Sequence, residues 1–239
     1  MASTPLAAHI SQQFDKELED IRSKVLAMGG LVESHLAQVL DALGHGNAAI
    51  AESVAHADYK VNAFEVQIDE ECTEILARRN AVARDLRLVL AVTKIITDLE
   101  RVGDETEKIA RMVLNLIENE NPKSYYIGVL AMGHHVRRML HDALDAFARM
   151  DSDAALTIAK EDPEVDREQD AAMRALITYM MEDPRSISRV LGVVLAVRAM
   201  ERIGDHARNI CEDVIYLVRG KDIRHISLED AERALRAAE

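Results

Sequence analysis

Glu100-Arg101-Val102-Gly103-Asp104 recurs 101 positions later as Glu201-Arg202-Ile203-Gly204-Asp205. Each copy sets a Glu and an Asp four residues apart, so on a helix both carboxylates share one face, one turn apart. Like charges at that spacing cost about 0.2–0.5 kcal/mol per exposed pair. A chain that repeats this cost in register points to a positive partner for the carboxylates. Working outward, Leu26-Ala27-Met28-Gly29 recurs as Leu130-Ala131-Met132-Gly133, and Asp58 and Val61 are matched by Asp162 and Val165, all at an offset of 104. The later offset of 101 means that the second copy is three residues shorter between its second and third helices. Two tandem copies of a three-helix unit is the economical reading.

Composition agrees. Trp is absent, aromatic residues are 3%, and ten Gly and four Pro punctuate 239 residues. With 49% hydrophobic and 30% charged residues, the chain has the make-up of an all-α globular protein. A formal charge of −13 argues against a nucleic-acid partner and gives no help with an anionic membrane surface. The longest apolar stretches, such as residues 190–197, fall far short of a membrane span, so no membrane insertion is expected. The first thirteen residues lack both the basic start and the apolar run of a secretion signal. Cys72 and Cys211 form no metal-finger spacing and read as reduced core residues.

Hydrophobic periodicity places six antiparallel helices near residues 11–43, 48–79, 85–118, 124–150, 153–181 and 186–219. In the first, Ile21, Val25, Met28, Val32, Leu36, Val39 and Leu43 form one stripe, with Gly29-Gly30 as a candidate bend. Turns fall at Gly44–Asn47, at the connector 80–84, at Asn121-Pro122, at residues 151–153 and at Asp183-Pro184, and Pro163 is a candidate bend in the fifth helix. The expected units are residues 1–121, 122–220 and a C-terminal tail 221–239, with a short amphipathic helix or frayed end from Ser227.

Counting outward from each turn sets the register. In the second unit, Asp166 and Glu201 lie 18 and 17 residues either side of Pro184, and Asp162 and Asp205 lie 22 and 21. In the first, centred on Val82, Asp58 and Asn62 lie 24 and 20 residues before, and Glu100 and Asp104 lie 18 and 22 after. At a rise of about 1.5 Å per residue, each half presents two facing oxygen pairs at matching height. The candidate metal ligands are therefore Asp58, Asn62, Glu100 and Asp104 in one half and Asp162, Asp166, Glu201 and Asp205 in the other. Oxygen-only ligands suit Mg, Mn, Ca or Fe, with Zn a further candidate. The alternative is a pair of solvated acidic flanks. Because its second half carries one more carboxylate, that half is expected to fill first. Arg101 and Arg202 read as neutralising a neighbouring carboxylate, Gly103 and Gly204 as allowing close helix approach, and His206 as an auxiliary ligand at most. No Glu-x-x-His, nucleophile elbow or Walker motif occurs, and no catalytic constellation is visible.

With these residues in place the chain resembles the PhoU family of phosphate-uptake regulators. The resemblance rests on both copies of Glu-Arg-(Val/Ile)-Gly-Asp, on residues 28–30, 58–62, 65–69 and 83–87, and on residues 143–151, 179–183 and 219–225. It covers nearly the whole chain. It implies a non-enzymatic cytoplasmic homodimer, peripheral at the inner membrane through its partners, that lowers phosphate-regulon signalling when phosphate is plentiful. The implied partners are the ATPase of the phosphate ABC transporter and the sensor histidine kinase of the phosphate two-component system. The implied cofactors are metal ions on the E/D-x-x-x-D motifs, carried here by Glu100 and Asp104, Glu201 and Asp205, and Asp162 and Asp166, with Asp58 fitting and Asn62 departing from the motif. The competing readings are a metal-storage or metal-dependent hydrolytic bundle, and a helical scaffold without a ligand.

Overall fold

The described structure, a computed structural model, covers residues 5–78, 81, 83–118, 126–226, 230, 232 and 233. Its helices are α1 (Pro5–His45), α2 (Ala48–Ala55), α3 (Tyr59–Arg78), α4 (Ala83–Glu118), α5 (Ile127–Arg149), α6 (Ser152–Ala159), α7 (Asp162–Glu182) and α8 (Ile187–Arg219). A 3₁₀ turn at Pro184–Ser186 precedes α8. The chain is all-α, and no strand occurs among the described residues.

The predicted stripe of α1 is buried from Ile21 to Leu43, and the helix runs unbroken through Gly29-Gly30. Asn47 caps α2 by accepting from the Ile50 amide at 3.3 Å. Its equivalent Asp151 caps α6 by accepting from the Ala154 amide at 2.9 Å, a replacement that keeps the same orphan amides satisfied. Gly220, at φ 70°, stops α8 in the left-handed conformation that glycine adopts without penalty. Beyond it Ile223 turns back into the core. The connector around Asn121-Pro122, the expected helix start at residue 124 and most of the tail from Ser227 lie outside the described residues. So do residues 79, 80 and 82 of the first connector.

The six-helix plan holds with one modification in each half. The predicted second helix is two helices over residues 48–78, separated at His56–Asp58, and the fifth predicted helix breaks at Lys160-Glu161. Short-range bonds carry both breaks, Ala57 N to Val54 O at 3.0 Å in the first and Glu161 N to Ile158 O at 2.9 Å in the second. Pro163 follows the second break at the start of α7, where its missing N–H is harmless. The consequence is functional. Asp58 immediately precedes α3 and Asp162 begins α7, each at a helix N-terminus whose dipole favours a carboxylate.

The two three-helix halves are related as predicted, and their buried residues form one continuous core. Around the centre α1 packs on α5 and α4 packs on α8, antiparallel as the Lys94–Asp213, Asp98–His206 and Glu105–Arg202 bonds show, while α2–α3 pack on α1 and α4, and α6–α7 on α5 and α8. Gly29 of α1 receives the Leu144 side chain, and Gly133 of α5 receives Leu40. Both pairs are exchanged by the 104-residue offset, so the recurring Leu-Ala-Met-Gly stretch marks the pseudo-twofold contact.

Polar bridges reinforce the α4–α8 seam. Lys94 Nζ donates to Asp213 Oδ1 at 3.1 Å. Asp98 Oδ1 lies 2.7 Å from His206 Nδ1 and accepts from Asn209 at 3.2 Å. Burial pushes the Asp213 carboxyl up to about 6, with Lys94 opposing the rise. A raised acid contributes stability that is complete below its unfolded pKa of about 3.9 and is lost as pH climbs through the folded value. Wild type should therefore lose up to ~2 kcal/mol relative to Asp213→Asn between pH 4 and 7. Parallel stability curves for the two proteins across that range would contradict this.

Candidate metal centre

Asp58 is held between the end of the short α2 and the face of α4. Its Oδ2 accepts from Asn62 Nδ2 at 3.0 Å. Its Oδ1 is buried and has no hydrogen-bond partner. Gly103 makes this approach possible, because a Cβ there would stand 3.1 Å from Asp58 Oδ1 and 3.2 Å from Val61. Gly204 plays the same part against Val165, again at 3.2 Å. The motif glycines thus let α3 and α7 close on their partner helices, as their position suggested.

Ligand oxygens of Asp58, Asp104 and Glu107 all lie within 4.8 Å of one another. Burial raises the Asp58 carboxyl above its usual range; the Asn62 hydrogen bond opposes this, and Asp104 and Glu107 add to it. Glu100 is raised by burial and then by Asp104 and Glu65. Glu65 is raised by burial and then by Asp69 and Asp104. The first half therefore gathers six acids, Asp58, Glu65, Asp69, Glu100, Asp104 and Glu107, around α3 and α4, with Arg111 donating to Glu107 at 2.7 Å. An orphaned buried oxygen among mutually repelling carboxylates is an environment a hard cation would relieve. The donor set fits an oxygen-ligated ion.

The second half has the expected register but different charges. Burial, Asp205 and then Asp166 raise Glu201, so the acids of α7 and α8 act on one another across the helix pair. Here, however, Arg208 donates to Asp162 Oδ2 at 2.9 Å and to Glu212 Oε1 at 3.0 Å. Arg208 occupies the position that Glu107 holds in the first half. A guanidinium already supplies the positive partner for Asp162. The carboxylate count favours the second half, whereas the acids whose oxygens lie within 4.8 Å of one another are in the first. There Arg111 pairs with Glu107 but no described cation pairs with Asp58; in the second, Arg208 pairs with Asp162.

Other side chains near the two motifs add to this reading. Arg202 reaches Glu105 of α4 at 3.1 Å, so the neighbouring carboxylate it neutralises belongs to the other repeat, and it also opposes the rise of Glu201 in its own motif. His206 is committed to Asp98 and stands in the α4–α8 seam. Glu107, Glu65 and Arg208 were missed as site residues. Extending the repeated pentapeptide by three positions, one further helical turn on the same face, finds Glu107 and Arg208. Cys72 and Cys211 are free and buried, and burial drives the Cys72 thiol up to about 12, as suits inert core residues.

The chain's similarities to known proteins follow the same two-repeat plan. The sequence profile of the PhoU domain matches residues 25–113 and again residues 129–214. A phosphate-specific transport system accessory protein PhoU homolog from Pseudomonas putida is 54% identical over 224 residues, covering 94% of this chain and 88% of the relative. The crystal structure of PhoU from Pseudomonas aeruginosa superposes with a TM-score of 0.85 at 52% identity, covering 87% of this chain and 100% of that one. The phosphate transport system regulatory protein PhoU from Streptococcus pneumoniae superposes with a TM-score of 0.80 at 31% identity, covering 87% and 98%.

Proposed function

The chain belongs to the PhoU family, and on that premise we propose that it is an accessory regulator of a phosphate transport system, an adaptor rather than an enzyme. The observation that carries this reading is the match of both repeats, with their Glu-Arg-(Val/Ile)-Gly-Asp motifs, to proteins named for that role. In this reading the protein works in the cytoplasm as a homodimer, reaching the inner membrane only through its partners. It lowers phosphate-regulon output by linking the transporter ATPase to the sensor histidine kinase. No described helix is long and apolar enough to cross a membrane, which is compatible with a peripheral role.

A cation belongs to the proposal. Asp58, Asp104 and Glu107 would hold it, with Asn62 and Glu100 flanking, and Mg²⁺ or Mn²⁺ suits the all-oxygen set. When bound, the ion would neutralise the α3–α4 face. The protein's own residues keep Asp58 desolvated and present a rigid two-helix surface. In the second half Arg208 does the same without an ion, so each half offers a charge-compensated face by different means. Deletion of the gene tests the function: phosphate-regulon reporters should switch on in high phosphate. Unchanged repression would overturn the adaptor reading.

A further inference from the structure

The pseudo-twofold axis also relates the two edges of the α4–α8 seam, and the edges are unlike. On one edge Lys94, Asp98 and Asp213 belong to the closed hydrogen-bonded network described above. On the other, the 101-residue offset puts Leu195 in place of Lys94, Ala199 in place of Asp98 and Met112 in place of Asp213. The network is gone, and an open cleft of about 270 Å³ remains.

Three cations, Lys108, Arg198 and Arg202, rim this cleft beside a single carboxylate, Glu105. Lys108 and Arg202 both converge on Glu105, at 2.9 and 3.1 Å, so two positive charges share one negative partner. Arg198 is exposed and makes no ion pair among the described residues. Such a local excess of positive charge stands out on a chain of net charge −13. The cleft continues into an exposed apolar stripe: Ile187, Leu191 and Leu195, which are 42%, 51% and 64% exposed, repeat every four residues along α8. Arg198 and Arg202 extend the same face at helical spacing. An apolar row that runs into a cationic end is complementary to one kind of occupant, a helix with an apolar face and carboxylates at its margin.

We propose that the α4–α8 cleft and the adjoining Ile187–Leu191–Leu195 row dock an acidic amphipathic helix of a partner protein. This deepens the adaptor reading and rests on it for the existence of a partner. The cleft is lined by α4 and α8 residues, none of which belongs to the cluster of Asp58, Asp104 and Glu107. The cation centre and the docking surface are thus separate parts of one adaptor.

The test uses the full chain and a fluorescein-labelled synthetic helix of about 16 residues, roughly 24 Å long. The probe carries leucines on one face and glutamates beside them. Fluorescence anisotropy should show saturable binding that weakens with salt. Leu195→Glu with Arg198→Glu should weaken it at least tenfold, and both positions are exposed, so the fold is kept. Equal affinity for wild type and variant would overturn the proposal. So would equal binding of a probe whose leucines are replaced by serine, or full displacement by inorganic phosphate, either of which would mark a simple anion site. If the variant instead loses self-association in analytical ultracentrifugation, the occupant is a second copy of this chain and the proposal fails. A failed probe beside a derepressed deletion strain would sink this surface alone. A repressed deletion strain would sink the adaptor reading.

Discussion

Millimolar Mn²⁺ raises the melting temperature of the wild-type chain by roughly 5–10 °C and leaves the Asp58→Asn/Asp104→Asn variant unmoved. The size follows from linkage. A ligand at a hundred times its dissociation constant adds about 2.7 kcal/mol, and each kcal/mol moves the midpoint of a chain this long by about 2–4 °C. The direction follows from the site. Asp58 Oδ1 is buried without a hydrogen-bond partner, and carboxylate oxygens of Asp58, Asp104 and Glu107 lie within 4.8 Å of one another. Without an ion, the variant should match or exceed wild type in stability, because it removes repulsion as well as ligands. The corresponding Asp162→Asn/Asp205→Asn variant should keep the full Mn²⁺ response, since Arg208 already serves Asp162. Elemental analysis after dialysis checks the same point. Arg208→Glu should gain a second equivalent of metal. A Mn²⁺ response that survives in Asp58→Asn/Asp104→Asn but disappears in Asp162→Asn/Asp205→Asn would reverse the assignment.

The second large effect concerns the fused core. Gly29→Val and Gly133→Val should each lower stability by about 1–3 kcal/mol, and together shift the melting temperature down by roughly 5–15 °C. A Cβ at Gly133 would overlap the Leu40 side chain and crowd Met200 at 3.1 Å, and one at Gly29 would overlap Leu144. Both clashes lie where the α1 and α5 helices of different repeats meet. Gly30→Ala is the control, since nothing lies within 4 Å of its Cβ position. It should stabilise the helix by about 1 kcal/mol. Two bundles without a shared core would show no penalty at positions 29 and 133, and a neutral double variant in thermal unfolding would contradict the fold described.

The repeat, the all-α class and the register of the facing carboxylates were legible in the sequence because each depends on spacing along a helix. Residue counts from Pro184 put Asp166 level with Glu201, and Asp166 is among the acids that raise the Glu201 carboxyl. The breaks at His56–Asp58 and Lys160-Glu161 were less visible, because Val54, Val61 and Ile68 keep one apolar face through the first of them. Local turn bonds and docking against α4 decide that break, and no periodicity records them. Arg208 shows a different limit. The pentapeptides are nearly identical, so the sequence ranked the two halves by carboxylate count alone, while the cation that separates them lies just outside the repeated motif.

The central claim is that this chain represses phosphate-regulon output through a metal-compensated first repeat. It is tested most directly by complementing a deletion strain carrying a phosphate-regulon reporter in high phosphate. The account predicts that wild type restores repression and that Asp58→Asn/Asp104→Asn, expressed and folded to the same level, does not. Repression restored equally by both would contradict the role of the cluster, and a deletion strain that never derepresses would contradict the function itself.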